Sequence, residues 1–154
     1  MFIIFNVVLL NDDYVEELVE LERKCFKDPW SATMFSGDLQ SEFTYYFGIF
    51  NKDGMLVGYA GMWVSVDVGE ITNVAVHPDY RRQGIASLLI NNLIDVCRIN
   101  NLSSINLEVR ENNCKAISLY NKLGFEKVGL RKNYYKNPTE NAVLMTKYLF
   151  ERND

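Results

Sequence analysis

Apolar and polar positions recur along this chain in two periods, and each change of period marks an element. The opening MFIIFNVVLL is a short apolar run ended by NDDY, which reads as a strand. Asn11 and Asp12 then cap a helix whose Tyr14, Val15, Leu18, Val19, Cys25 and Phe26 share one face; acidic residues crowd its first half and Pro29 closes it. Ser31 caps a shorter helix to about Gln40. TYYFGIF and MLVGYAGMWVSV follow as strands joined by the turn NKDG. Glu70 to Val76 is another strand, ended by HPDYRRQG, and from Gly84 on Ile85, Leu88, Leu89, Leu93, Val96 and Cys97 fall at helical spacing. SSINLEVR alternates like a strand; KAISLYNKLGF is a helix capped by Asn112 or Asn113 and stopped by Gly124. FEKVGLRKNYY and AVLMTKYLF supply two last strands. This order predicts a mixed α/β fold, a central sheet of about seven strands with about four helices over its faces.

Length and composition narrow the class. With 154 residues the chain is expected to form a single domain over 1–154, and 48% apolar with 23% charged residues is the profile of a folded globular protein. Its net charge of −4 disfavours nucleic acid as a partner and suits a basic peptide. Cys25, Cys97 and Cys114 form no C-x-x-C pair and are odd in number, which fits reduced thiols in the cytoplasm. His77 is the only histidine, so no metal is expected. The apolar start lacks preceding basic residues and a small-residue cleavage site, and no segment approaches the roughly 20 apolar residues that span a bilayer. The expectation is a monomer with no membrane attachment.

Chemistry concentrates in VHPDYRRQGIASLL, Val76 to Leu89, where a strand passes through a Pro turn and one Gly into a helix. A helix start offers unpaired N–H groups and partial positive charge, and Gly lets an anion approach them closely. Arg81 and Arg82 add charge, so the segment suits a pyrophosphate on the amides of Arg82, Gln83, Gly84, Ile85, Ala86 and Ser87. There is no G-K-[ST] of a Walker A loop and no G-x-G-x-x-G of a dinucleotide fold. A solvated strand-to-helix turn is the plain alternative.

The segment resembles the acyl-coenzyme A cradle of the GNAT superfamily of N-acetyltransferases, in which Arg or Gln, two residues, Gly, one residue, and Gly or Ala recur; Arg81, Gly84 and Ala86 stand at those positions. Ala86 takes the second small place. The resemblance implies a mostly antiparallel sheet with strands splayed at the acyl-CoA site, and main-chain groups of Val74, Ala75 and Val76 pairing with the pantetheine arm as an added strand would. It sharpens toward the RimI-type enzymes, which acetylate the α-amino group of an alanine on a small-subunit ribosomal protein. KDPWS, ITNVAVHPDY with the cradle, LEVRENN with ISLYNKLGF, and LRKNYY with NAVLMTKYL carry it, most fully from Ile71 to Leu149.

That likeness implies acetyl-CoA as co-substrate, with Glu108 as general base for the incoming amine and Tyr120 as general acid for the departing thiolate. An ordinary phenol near 10 lies within about two units of a thiol near 8.5, so that transfer is close to balanced. Asn113 matches a residue that bonds the cofactor arm, and also suits a helix cap. Trp30, Tyr134 and Tyr135 are expected in the peptide groove, with Trp30 equally suited to anchoring helices; His77 reads as a turn residue. At pH 7 roughly one α-amine in seven is already neutral, against fewer than about one lysine in a thousand, so a modest base suffices. Rival readings are an acetyltransferase for a small amine or internal lysine, and a non-catalytic acetyl-CoA sensor.

Overall fold

The computed structural model describes residues 5–150, so the first four residues of the expected opening strand lie outside it. The strands are β1 (Val7–Leu9), β2 (Thr44–Phe50), β3 (Leu56–Ser65), β4 (Val68–Val76), β5 (Ser104–Arg110), β6 (Glu126–Tyr135) and β7 (Glu140–Tyr148). The helices are α1 (Val15–Cys25), α2 (Ala32–Leu39), α3 (Ile85–Ile99) and α4 (Cys114–Lys122). Seven strands form one sheet in the order β1-β2-β3-β4-β5-β7-β6. The pairs β1/β2, β2/β3, β5/β7 and β6/β7 are antiparallel, and β4/β5 is parallel.

Two compact units share these elements: Met1–Trp63 with Asn73–Leu93, and Val64–Thr72 with Ile94–Asp154. In the first, β3 is buried from Leu56 to Met62, as a near-continuous apolar run requires. Leu10, Leu18, Leu21, Phe35, Tyr46, Leu56, Tyr59 and Ala75 make its core. Tyr46 and Tyr59 stack at 6.0 Å, and Phe35 meets both edge-on, the arrangements that aromatic quadrupoles favour. Gly58 of β3 allows the first residue of α3 to seat closely, since a Cβ there would lie 2.6 Å from Ile85 Cγ2. The start of α3 is thereby fixed on the sheet.

In the second unit β7 lies between β5 and β6. The parallel ladder of β4 with β5 covers only Val68–Glu70 and Ser104–Asn106, although both strands run on. Asn106 closes it with side-chain bonds, donating to Glu70 at 3.0 Å and accepting from Thr146 at 2.7 Å. Gly124, with φ +95°, stops α4 in the left-handed position that a helix C-terminus favours.

Sequence periodicity misplaces two boundaries. Asn11 caps a 3-10 turn, Asp12–Tyr14, rather than α1, because its side chain accepts from Asp13 N–H and Tyr14 then begins the α-helix without a side-chain cap. Phe26 leaves the helical face, its backbone turning extended (φ −135°, ψ 149°) while its N–H still bonds Glu22. The helix therefore ends before Pro29 is reached.

Candidate active site

In the first unit the end of β4 leads into the cradle. His77, nearly buried, caps the turn Pro78–Tyr80 by accepting from Asp79 N–H at Nδ1, 3.1 Å, which is the turn role its place beside Pro78 suggests. Arg81 Nε donates back to the Val76 carbonyl at 3.1 Å, and Cys25 Sγ donates to the same oxygen at 3.4 Å. That carbonyl is thus occupied, and Arg81 braces the loop. Arg82 and Gly84 take left-handed φ of 65° and 80°, with Gln83 between them on the ordinary side. Such alternation gathers successive N–H groups into an anion-binding concavity.

The first ladder bond of α3 runs from Leu88 N–H to Gly84 O, 3.0 Å. The N–H groups of Ile85, Ala86 and Ser87 therefore precede the ladder and have no acceptor inside the helix. A Cβ at Gly84 would meet nothing within 4 Å, so the space over the turn is open. Free amides, an open approach and the N-terminal end of a 15-residue helix together fit a phosphate-bearing group. A cavity of about 270 Å³ elsewhere in this unit, lined among others by Glu17, Glu20, Lys24, Asp53 and His77, includes none of these cradle residues.

The second unit holds the expected reacting groups. Alternation along β5 buries Leu107 and Val109 and turns Glu108 and Arg110 to the other face. Glu108 Oε1 lies 3.3 Å from Arg131 Nε, and its carboxylate also takes the Tyr134 hydroxyl, whose pKa is raised first by that hydrogen bond. Arg110 stands 4.3 Å over the Tyr135 ring and pairs with Glu140 at 3.3 Å. Glu140 also accepts from Asn112 N–H at 2.6 Å, which ties the β6–β7 hairpin to the start of α4. Burial first, then the charge of Glu108, pushes Tyr135 up to about 12.

Tyr120 sits on α4 with its ring buried, 5.9 Å from Phe125. Among the described residues its hydroxyl has no hydrogen-bond partner. Burial pushes its pKa up to about 12, which holds it protonated but leaves it a weaker acid than an exposed phenol. Against a thiol near 8.5, complete proton transfer from such a phenol would be uphill by about three and a half units, so the group is better suited to donating a hydrogen bond than to giving up its proton. Asn113 Oδ1 accepts from Ala116 N–H at 3.2 Å, so the cap uses its oxygen and leaves its amide N–H groups uncommitted by that bond.

Trp30 packs on the first unit's core, 5.4 Å from Phe35, as a helix anchor would. Tyr134 and Tyr135 meet edge-on at 5.1 Å beside Glu108 and Arg110. The register shift between Arg131 and Tyr135, with Asn133 at φ 53°, re-aims them as bulges do. Sequence reasoning missed Arg131, Arg110 and Glu140, although the E-x-R alternation of β5 already puts Glu108 and Arg110 on one face. It also missed Glu22, buried in the first unit and bonded to the Tyr59 hydroxyl at 2.6 Å, with Asn73 donating to that hydroxyl at 3.0 Å.

A seven-stranded, mostly antiparallel sheet with four helices is the architecture of the GNAT class of acyltransferases. The profile of the acetyltransferase (GNAT) family matches residues 15–125, and the chain belongs to that family. It is similar to the ribosomal protein bS18-alanine N-acetyltransferase of Escherichia coli (strain K12), with 35% identity over 81% of this chain and 84% of that one. N-alpha-acetyltransferase RimI of Mycobacterium tuberculosis is 34% identical over 84% of each chain. The crystal structure of the ribosomal-protein-S18-alanine N-acetyltransferase from Escherichia coli superposes with a TM-score of 0.89 at 29% identity, covering 98% of this chain and 97% of that one.

Proposed function

We propose that this chain transfers the acetyl group of acetyl-CoA to the N-terminal α-amine of a protein, the alanine of a small-subunit ribosomal protein of the bS18 kind, in the cytoplasm. The observation that carries the reaction is the open, left-handed turn at Gly84 feeding free amides at the start of α3, within the stretch that the family profile matches. The acceptor follows from the relatives, whose names specify bS18 alanine and an N-alpha amine. A net charge of −4 suits a basic acceptor protein.

Acetyl-CoA supplies the activated thioester. In this reading the amides of Arg82 to Ser87 take its diphosphate, and main-chain groups of Val74 and Ala75 take its arm, with Val76 limited to its N–H because its carbonyl is held by Arg81 and Cys25. The Asn113 amide donates to the arm. Glu108 accepts the proton of the incoming ammonium, directly or through water; Tyr120 donates its hydrogen bond to the leaving sulfur. Tyr134 and Tyr135 line the peptide path. The test is the intact mass of purified bS18 after incubation with enzyme and acetyl-CoA, with fragment spectra placing the modification. One acetyl group on the N-terminal alanine of the processed bS18 is expected. No acetylation, or acetylation confined to internal lysines, overturns the reading.

A further inference from the structure

We infer that Arg131 is a positioning and charge-balancing residue of the acceptor side: its guanidinium, set on Glu108, keeps the incoming α-amine in the neutral form that can attack. The inference rests on Glu108 being the base. A carboxylate alone is a poor host for a reacting amine, because it favours the ammonium and so raises the amine's pKa, whereas attack needs the free lone pair. A cation beside that carboxylate offsets the effect, since a like charge disfavours the ammonium.

The sheet is built to bring this cation there. Arg131 of β6 and Arg110 of β5 both face Ala142 of β7, while Glu108 of β5 faces Leu144, whose partner on β6 is Gly129. Opposed residues share a face of the sheet, so side chains from the two strands flanking β7 can meet over the small Ala142. There Arg131 Nε comes to 3.3 Å from Glu108 Oε1, with its guanidinium 5.6 Å from the centre of the Tyr134 ring.

The other groups facing Glu108 leave this task to Arg131. Arg110 is engaged by Glu140, by the Tyr135 ring, and by the carbonyls of Lys136 and Pro138. Tyr134 and Tyr135 from β6 are neutral phenols with raised pKa, the first bonded to Glu108 and the second feeling its charge. Tyr120 of α4, also neutral, interacts with Tyr135, and β7 presents Leu144. Arg131 is 57% exposed, so solvent screens part of its charge and its effect on the amine is modest.

The test is the pH dependence of kcat, with acetyl-CoA and an Ala-initiated peptide both saturating, for wild type, Arg131→Gln and Arg131→Lys. The ascending limb of Arg131→Gln should move up by about half to one pH unit, costing about three- to tenfold near neutral pH and recovering at alkaline pH; Arg131→Lys should follow wild type. A limb that does not move, or an equal loss at every pH, overturns the inference. Glu108→Gln, measured alongside, separates the two levels. If it retains wild-type turnover, the base assignment fails and this inference with it. If it loses turnover while the Arg131→Gln limb stays in place, only the role of Arg131 fails.

Discussion

In the first unit the groups suited to hold a ligand are peptide N–H groups: the turn through Arg82 and Gly84 and the opening residues of α3, all set by φ angles and by Ile85 seated on Gly58. In the second unit the groups proposed to react are side-chain atoms, a carboxylate braced by Arg131 and a phenol whose ring is buried against Phe125. The two are fixed by different physics. A main-chain site depends on conformation and tolerates exchange of side chains that keep it, so Gln83, exposed to solvent, is free to vary while Gly84 is not. A side-chain site keeps its backbone under substitution and loses its function with a single atom.

The largest effect should come from the side-chain region. Glu108→Gln keeps shape and β5 pairing but removes the base, and kcat should fall by about 10² to 10⁴-fold with the KM for acetyl-CoA little changed, read by steady-state kinetics. Tyr120→Phe should cost about 10²-fold in kcat, the lower end because a phenol at about 12 is poorly matched to a thiol. Its hydroxyl bonds no described residue, so thermal unfolding should barely move. A rate loss accompanied by a large drop in Tm would make Tyr120 structural and erase the contrast.

At the cradle the pattern should reverse. Gly84→Val forces a β-branched residue to φ near +80°, a strain of about 1–3 kcal/mol, so the turn should open and the KM for acetyl-CoA rise about tenfold with kcat less affected. Gln83→Ala, the paired control, should stay within about twofold of wild type by the same argument from exposure. Equal losses in the two variants would mean that the Gln83 side chain, and not the main chain, meets the ligand.

How far this was legible in sequence follows the same divide. The cradle lies within one stretch, Val74 to Ser87, so a strand, a Pro turn, a Gly and a helical period suffice to place it. β2, the NKDG turn and the Asn113 cap with Gly124 stop are local too, and they fold where periodicity puts them. The pairing of Glu108 with Arg131 is not local. It exists because β7, last in sequence, inserts between β5 and β6, and because a register shift between Lys127 and Gly129 sets Arg131 opposite Ala142. Pattern along the chain carries neither fact. Phe26 shows a subtler limit: helical spacing continues past Cys25 while the backbone has already turned extended. For Trp30 the pattern fits groove and core alike, and only its contact with Phe35 places it on the latter.

The smallest effect belongs to Glu22, and it tests whether the first unit's buried carboxyl is structural where the second unit's carboxylate is assigned to chemistry. Burial raises the Glu22 pKa above 4.5, opposed in part by hydrogen bonds from Tyr59 and from Trp30 N–H. The native state therefore holds this proton more tightly than the unfolded chain does. The group's contribution to stability is fully present below the unfolded pKa and is lost as pH rises through the raised native value. Glu22→Gln stays neutral and keeps an acceptor for Tyr59, so it lacks that slope. Urea unfolding at acid and neutral pH should then show wild type losing ground to Glu22→Gln as pH rises, with kcat unchanged in the variant. A difference that is constant with pH would show that native and unfolded Glu22 titrate alike; a large fall in kcat would move Glu22 from the scaffold into the reaction and break the division between the two units.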